Sequence, residues 1–315
     1  MLTVLEERQT QLYAFTILLA IIVGLNFSES LMPLSSFIPF ALAFLMFSMF
    51  AQIPFLALKK SFSHPQFFIA LFMSNYVIVP LIVWMLIHSF SPESTLKIGI
   101  LLVLLTPCID YVVVFTKLGK GDASLMLSVT PFLFITQLIL LPLYFWGFMG
   151  KEILTIISIS PLIKAFIYMI AIPFVSAMIL QLSAPKIHIC HQLLQRSAWM
   201  PVPLMALVLF LIVATQIPLI SRNLTLISSV IPIYVAFMIL ALITGLFIGK
   251  LMGFQSAEIR TLIYSTGTRN SLAVLPFAFA LPTDIAGIIA AVIVTQTLVE
   301  LIGELIYTKI TPYIR

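Results

Sequence analysis

The stretch LLTPCIDYVVVFTKLGKGD, Leu104 to Asp122, sets a proline, a cysteine and an aspartate almost side by side inside a long apolar run. Proline lacks an amide hydrogen and clashes with the carbonyl four residues earlier, so a helix entering this stretch breaks or kinks at Pro107. The chain around it is 62% hydrophobic and only 9% charged over 315 residues, whereas a soluble domain carries roughly 25% charged residues. So few charges cannot coat a soluble globule. The apolar runs instead match a bilayer core about 30 Å thick, which takes ~20 residues of helix to cross. Inside such a core, backbone groups freed at Pro107 cannot face lipid; they are buried in protein or line a wet cavity. Asp110, one turn later, needs a partner, hydration or a proton at that depth. The reading that follows is an all-α polytopic membrane protein with a polar opening at this break.

Working outward, ten apolar runs emerge between charges and Pro or Gly clusters. Helix 1 is read from Gln11 to Phe27, helix 2 from Leu31 to Leu58 with Lys59-Lys60 after it, helix 3 from Phe67 to Phe90 and helix 4 from Leu96 to Leu118. Helix 5 covers Ala123 to Phe148, helix 6 follows Pro161 and reaches Leu182, and helix 7 runs from Ala198 to Ile220. Helices 8, 9 and 10 span Leu224–Met252, Ala257–Ala280 and Ile285–Tyr307. With both termini cytoplasmic, the inside segments hold Arg8, Lys59, Lys60, Lys117, Lys120, Lys186, Arg196, Lys250, Arg260, Lys309 and Arg315. The outside segments hold only Lys97, Lys151 and Arg222, the bias that the positive-inside rule expects. The net charge of +5 is therefore a matter of topology, and no nucleic-acid partner is expected.

Cys108 falls in a span and Cys190 in a loop, so no disulfide framework is expected. The start, MLTVLEERQTQ, has two glutamates and no clean basic region, and reads as lacking a cleavable signal. His64, His88, His188 and His191 fall in loops or at helix ends without metal spacing, and no cofactor or metal is expected. There is no phosphate loop, no GxGxxG and no HExxH, which argues against an enzyme or an ATP-driven pump.

Ten spans divide into two five-helix repeats, residues 1–150 and 151–315, and an odd number of helices per half inverts one against the other. Ile135-Thr136-Gln137 in helix 5 and Val294-Thr295-Gln296 in helix 10 stand at corresponding places. The fourth helix of each half is interrupted next to a charge, by TPCID (Thr106–Asp110) and by STGTRNS (Ser265–Ser271). Paired interruptions at equivalent positions are a sequence pointer to a transporter's binding site. Gly267 permits an interruption, and Arg269 adds a fixed positive charge suited to an anion.

The candidate pathway is thus Asn75, Thr106, Pro107, Cys108, Asp110, Ser265, Thr266, Gly267, Thr268, Arg269, Asn270 and Ser271, with Gln137, Gln296 and Glu300 as weaker candidates. Asp110 and Arg269 stand alternatively as a structural ion pair, Cys108 as a small buried apolar residue, and Glu300 as a charge reaching a helix neighbour. Glu304, nearer the cytoplasmic end, is expected to reach water.

The features FLMFSMFAQIP (Phe44–Pro54), SHPQ (Ser63–Gln66), Asn75 ahead of Pro80, TPCIDYVVVFTKLGKGD, and RTLIYSTGTRNSLAVLP (Arg260–Pro276) resemble the bile acid:sodium symporter superfamily and its arsenite efflux permease branch. The resemblance covers most of the chain, from helix 2 to helix 10. It implies two inverted repeats, a panel of helices 1, 2, 6 and 7, a core of helices 3–5 and 8–10, and helices 4 and 9 crossing in the core. Sodium-coupled members place serine and asparagine just after the helix 4 break, where this chain has Val112 and Val113. Their helix 9 glutamate and glutamine correspond to Ser265 and Arg269, and their helix 3 glutamine to Asn75. These departures remove oxygen ligands from a sodium site and put a built-in cation in their place. The arsenite permeases share a cysteine like Cys108, a soft ligand for trivalent arsenic, but carry an acid in helix 9 where this chain has Arg269-Asn270-Ser271-Leu272.

The expectation is a secondary transporter in the cytoplasmic membrane, exporting arsenite or a similar small oxyanion by alternating access without sodium, with Asp110 as a proton carrier. An organic-anion transporter and a passive channel are the alternatives.

Overall fold

A computed structural model describes residues 2–27, 31–53, 64–109, 111–150, 164–222 and 224–314. Asp110, Lys59-Lys60, Lys151, Pro161 and the expected end of helix 2 at Leu58 lie outside the described residues.

Regular structure among the described residues is helical. In chain order the elements are α1 (Leu2–Asn26), α2 (Ile38–Phe50), α3 (Pro65–Phe90), α4 (Ser94–Leu104), α5 (Val112–Leu118), α6 (Ala123–Met149) and α7 (Lys164–Ser183). They continue with α8 (His188–Ser197), α9 (Pro201–Arg222), α10 (Leu224–Leu251), α11 (Ser256–Gly267), α12 (Ser271–Phe279) and α13 (Thr283–Ile310). Several ends follow from local chemistry. Asp122 caps α6 by accepting the Leu125 amide at 2.9 Å, and Gln255 with Glu258 forms a capping box at the start of α11, each satisfying donors left over in a first turn. Helix α3 widens into a π turn over Ser74–Ile78, and α7 does so over Ile167–Ala171.

Five of these helices are long and apolar enough to cross a membrane: Pro65–Phe90, Ala123–Met149, Lys164–Ser183, Leu224–Leu251 and Ile285–Tyr313. The pair His188–Ser197 and Pro201–Thr215, bent by 53°, passes the same test together. Gln11–Asn26, Ile38–Phe50 and Ser94–Leu104 are shorter apolar helices. Burial runs opposite to that of a soluble protein. On α10, Ile239, Ile243, Phe247 and Leu251 form an exposed stripe at four-residue spacing, with Phe247 65% and Leu251 73% exposed. Meanwhile Asn75, Arg269, Glu300 and Glu304 are fully buried. Apolar side chains outward and ionisable ones inward is the arrangement a lipid solvent requires, and the protein is an integral membrane protein.

The residues form two compact units. One comprises Met1–Ile53, Ser158–Leu224 and Leu275–Ala291. In it α1 packs closely on α9, because Gly24 offers no side chain against Ala214 and Ile217. Gln181 of α7 donates to the carbonyls of Phe50, Ala51 and Ile53 at 3.0, 3.2 and 2.8 Å, covering acceptors at the end of α2. The expected loop around Cys190 is instead the helix α8, whose exposed glutamines Gln192 and Gln195 contact His188 and His191 one turn back. Its polar composition hid it from a search for apolar runs.

The second unit comprises Pro54–Ile157, Thr225–Val274 and Val292–Arg315. Here α10 and α11 meet backbone to side-chain stub: a Cβ on Gly245 would stand 2.6 Å from the Ile263 Cα. The glycine-rich turn after α5 is tied to α11 by the Asp122 amide, which donates to Thr261 Oγ1 at 2.7 Å. Arg260 adds bonds to the carbonyls of Lys120, Pro312 and Ile314. These ties fix the ends of the segments that carry the site.

Candidate functional site

Expected helix 4 is two helices, α4 and α5, separated at residues 105–111, and expected helix 9 is α11 and α12, separated at Thr268–Asn270. The two interruptions meet. Pro107 and Arg269 form an isolated antiparallel bridge, in which the Cys108 amide donates to the Thr268 carbonyl at 3.1 Å and the Asn270 amide to the Thr106 carbonyl at 2.8 Å. Backbone groups that lose helical partners at each break thus satisfy one another, as an apolar medium demands. Pro107 costs this bridge nothing, because its missing hydrogen falls on a position that donates no rung.

The Arg269 guanidinium lies where the first half-helices of both breaks end. Its Nη2 donates to Asn75 Oδ1 at 2.8 Å, to the Ser265 carbonyl at 2.9 Å and to the Thr266 carbonyl, while Nη1 points to the Leu104 carbonyl at 3.4 Å. Its Cζ stands 5.4 Å from the centre of the Phe237 ring. Leu104 closes α4, and Ser265 and Thr266 belong to the last turn of α11, so the cation caps two helix C-termini at once. Orphan carbonyls and the negative dipole end both favour a cation there. Asn75 reaches this point from the π turn of α3, and its Nδ2 donates to Ser265 Oγ at 3.2 Å. None of these guanidinium bonds goes to a carboxylate.

The acids sit on the other side of the helix 9 break. Glu300 Oε2 accepts the Arg269 amide at 2.7 Å and Gln296 Nε2 at 2.5 Å; Oε1 accepts the Tyr111 hydroxyl at 2.6 Å. The Tyr111 hydroxyl also lies 3.1 Å from the Arg269 carbonyl, so two N–H donors and the nearer of two hydroxyl contacts surround this carboxyl. Glu304 is buried as completely and meets Thr268 Oγ1 at 2.8 Å. The expectation that Glu304 reaches water is therefore wrong. Helix α13 carries it one turn beyond Glu300 on the same face, against α11 rather than toward the membrane surface.

Of the other sequence candidates, Ser271 accepts a hydrogen bond from Thr297 at 2.8 Å, and Asn270 Oδ1 caps the start of α12 by accepting the Ala273 amide at 3.1 Å. Thr106 and Thr266 bond back to the carbonyls of Leu102 and Leu262, and Cys108 is fully buried. Gly267 does not take a left-handed conformation. Its role is space, since a Cβ there would stand 2.8 Å from the Tyr307 ring. Gln137 is buried on α6, and among the described residues nothing hydrogen-bonds its Oε1. Also unpartnered among the described residues are Arg269 Nε, Asn270 Nδ2, Gln296 Oε1 and Glu304 Oε2. Among the described residues, no three His, Cys, Asp or Glu side chains converge on a metal position.

Sequence reasoning missed Tyr111, Glu304, Thr297 and Phe237. Tyr111 was within reach, because it follows Asp110 inside the break. Phe237 gave no signal, being one aromatic among the 26 phenylalanines of the chain.

The model of the Sodium Bile acid symporter family matches residues 39–224, more than half of the chain. The chain belongs to that family. Members of the sodium bile acid symporter family are transporters and not enzymes, and buried ionisable groups between broken membrane helices suit that activity. The matched residues include the helix 4 break and stop short of Arg269. Comparison with curated proteins gives no significant match.

Proposed function

We propose that this chain is a sodium-independent secondary transporter that exports arsenite or a similar small oxyanion by alternating access. The observation that carries the reading is the Arg269 guanidinium, held by Asn75 and three backbone carbonyls where the two broken helices meet. Converging neutral oxygens are what a bare alkali cation seeks; a tethered guanidinium already fills them, so no sodium ion is needed to neutralise the crossing. Arg269 Nε and Asn270 Nδ2, buried and without a partner among the described residues, are donors of the kind an oxyanion accepts from. Cys108 offers a soft sulfur for trivalent arsenic beside the bridge, and Asp110 follows it two residues on in the sequence.

In this reading the chain has ten membrane spans in two inverted repeats, with both termini cytoplasmic in the inner membrane. Helices α4 with α5, and α11 with α12, each count as one span. The grouping of Met1–Ile53 with Ser158–Leu224 in one compact unit, which also takes in Leu275–Ala291, supports helices 1, 2, 6 and 7 as a panel.

The test is arsenite accumulation in arsenite-sensitive cells expressing the wild type or Cys108→Ser, in sodium medium and in choline medium. Lower accumulation with the wild type alone, in both media, is the expected result. Equal accumulation in wild-type and variant cells, with both proteins verified in the membrane, would remove arsenite and give first place to an organic anion. Lowered accumulation without any uphill movement would mark a passive channel.

A further inference from the structure

Thr268 Oγ1 has two oxygen neighbours at hydrogen-bonding distance: the Tyr264 carbonyl at 2.7 Å and Glu304 Oε1 at 2.8 Å. A threonine hydroxyl carries one hydrogen. A carbonyl carries none, and two oxygens this close without a hydrogen between them repel. The one threonine hydrogen cannot lie fully on both contacts, and a hydrogen on the carboxyl satisfies the second. From this count we infer that Glu304 is a proton-binding site of the transport core, holding a proton on Oε1 while Glu300, one turn away, stays ionised.

Three further observations converge on the same assignment. Glu304 Oε2 is completely buried and has no hydrogen-bond partner among the described residues, which a neutral carboxyl tolerates far better than a carboxylate. Glu300 accepts two N–H donors, the Arg269 amide and Gln296 Nε2, and the nearer contact of a Tyr111 hydroxyl that also faces the Arg269 carbonyl at 3.1 Å, and a second unscreened carboxylate four residues along the same buried helix face would repel it. The positive charge nearby is spoken for as well. Among the described residues, the charged groups acting on Glu304 are Glu300 and Arg269, and the Arg269 guanidinium spends its bonds on Asn75 and carbonyls. The remaining titratable neighbours are Tyr264 from α11 and Tyr307 from α13 itself. Tyr307 donates its hydroxyl hydrogen to the Met238 carbonyl of α10, so it supplies nothing to the carboxyl.

The position gives the proton a task. Thr268 lends its carbonyl to the Cys108 amide in the bridge between the two breaks, so the proton on Glu304 sits one residue's width from the contact that joins them. A movement that lifts Thr268 away removes the acceptor of the Glu304 hydrogen and exposes the site to release. This consequence rests on the transporter reading above; the proton site itself does not.

Infrared difference spectroscopy on the purified full-length chain in lipid, exchanged between H2O and D2O at neutral pH, tests the site without any transport assay. A protonated-carboxyl carbonyl band is expected in the wild type and in Glu300→Gln. It is expected to vanish in Glu304→Gln, whose amide can still donate to Thr268 and so preserves the fold. Thr268→Val is expected to keep the band and move it upward in frequency, because its hydrogen-bond acceptor is gone. A band that persists unchanged in Glu304→Gln, or the absence of any such band in the wild type, would overturn the assignment. Failure of wild-type arsenite export alongside an intact Glu304 band would sink the transport reading and leave the proton site standing.

Discussion

Replacing Arg269 with alanine removes the cation from the crossing and leaves behind four acceptors: Asn75 Oδ1 and the carbonyls of Leu104, Ser265 and Thr266. It also strips the nearest positive charge from Glu300, whose bond to the residue 269 amide remains. Deleting one charged partner from a buried polar network costs about 3–5 kcal/mol, a large share of the ~5–15 kcal/mol by which a domain is typically stable. If the guanidinium acts as a tethered cation, a free one can partly replace it. An ion present at 100 times its dissociation constant returns about 2.7 kcal/mol to the state that binds it. The assay is thermal unfolding of purified wild type and Arg269→Ala in sodium or choline chloride at equal ionic strength, beside arsenite flux into proteoliposomes. The wild type should unfold at one temperature in both salts and transport equally in both. Arg269→Ala should unfold earlier, lose flux, and recover part of its unfolding temperature in sodium only. Wild-type flux that collapses in choline, or full flux in Arg269→Ala, would refute the tethered-cation reasoning.

Tyr111→Phe deletes the hydroxyl contact to Glu300 and keeps the ring, so a loss of about 1.5–3 kcal/mol is expected for a hydrogen bond to a charged group, measured by denaturation in detergent. Gly245→Ala drives a methyl into the Ile263 backbone, whereas Gly249→Ala meets first the Ile259 side chain at 2.9 Å. The former should cost more, at about 1–3 kcal/mol for overpacking, seen as the larger drop in unfolding temperature. For Cys108→Ser and Glu304→Gln, the expected outcomes are a loss of arsenite export with an intact fold, and the disappearance of the protonated-carboxyl band.

The break at Pro107 was legible because proline acts through covalent geometry, which no tertiary context can alter. Seven consecutive residues without an aliphatic side chain, Ser265–Ser271, marked the second break for a related reason: lipid cannot solvate them. Their pairing was legible only as an expectation from repeat symmetry, since a backbone bridge between Pro107 and Arg269 leaves no trace in side-chain identity. Glu304 was misread because distance along the chain from the span centre was taken as distance toward water. A helix face decides that instead, and the four-residue step from Glu300 keeps Glu304 on the inner one. The short polar helix α8 was missed since its pattern carries no apolar run. The carbonyls that hold Arg269 were invisible in principle, because every residue carries one.

The two amide bonds across the Pro107–Arg269 bridge make the smallest possible sheet, and that has a use. Cys108 and Asn270 each contribute one amide hydrogen to it, and no third rung protects either of them. Their hydrogen–deuterium exchange is therefore a clock for the crossing itself: each parting of the broken helices would register as a deuteron gained at these two amides, while neighbours inside α4 and α11 stay silent.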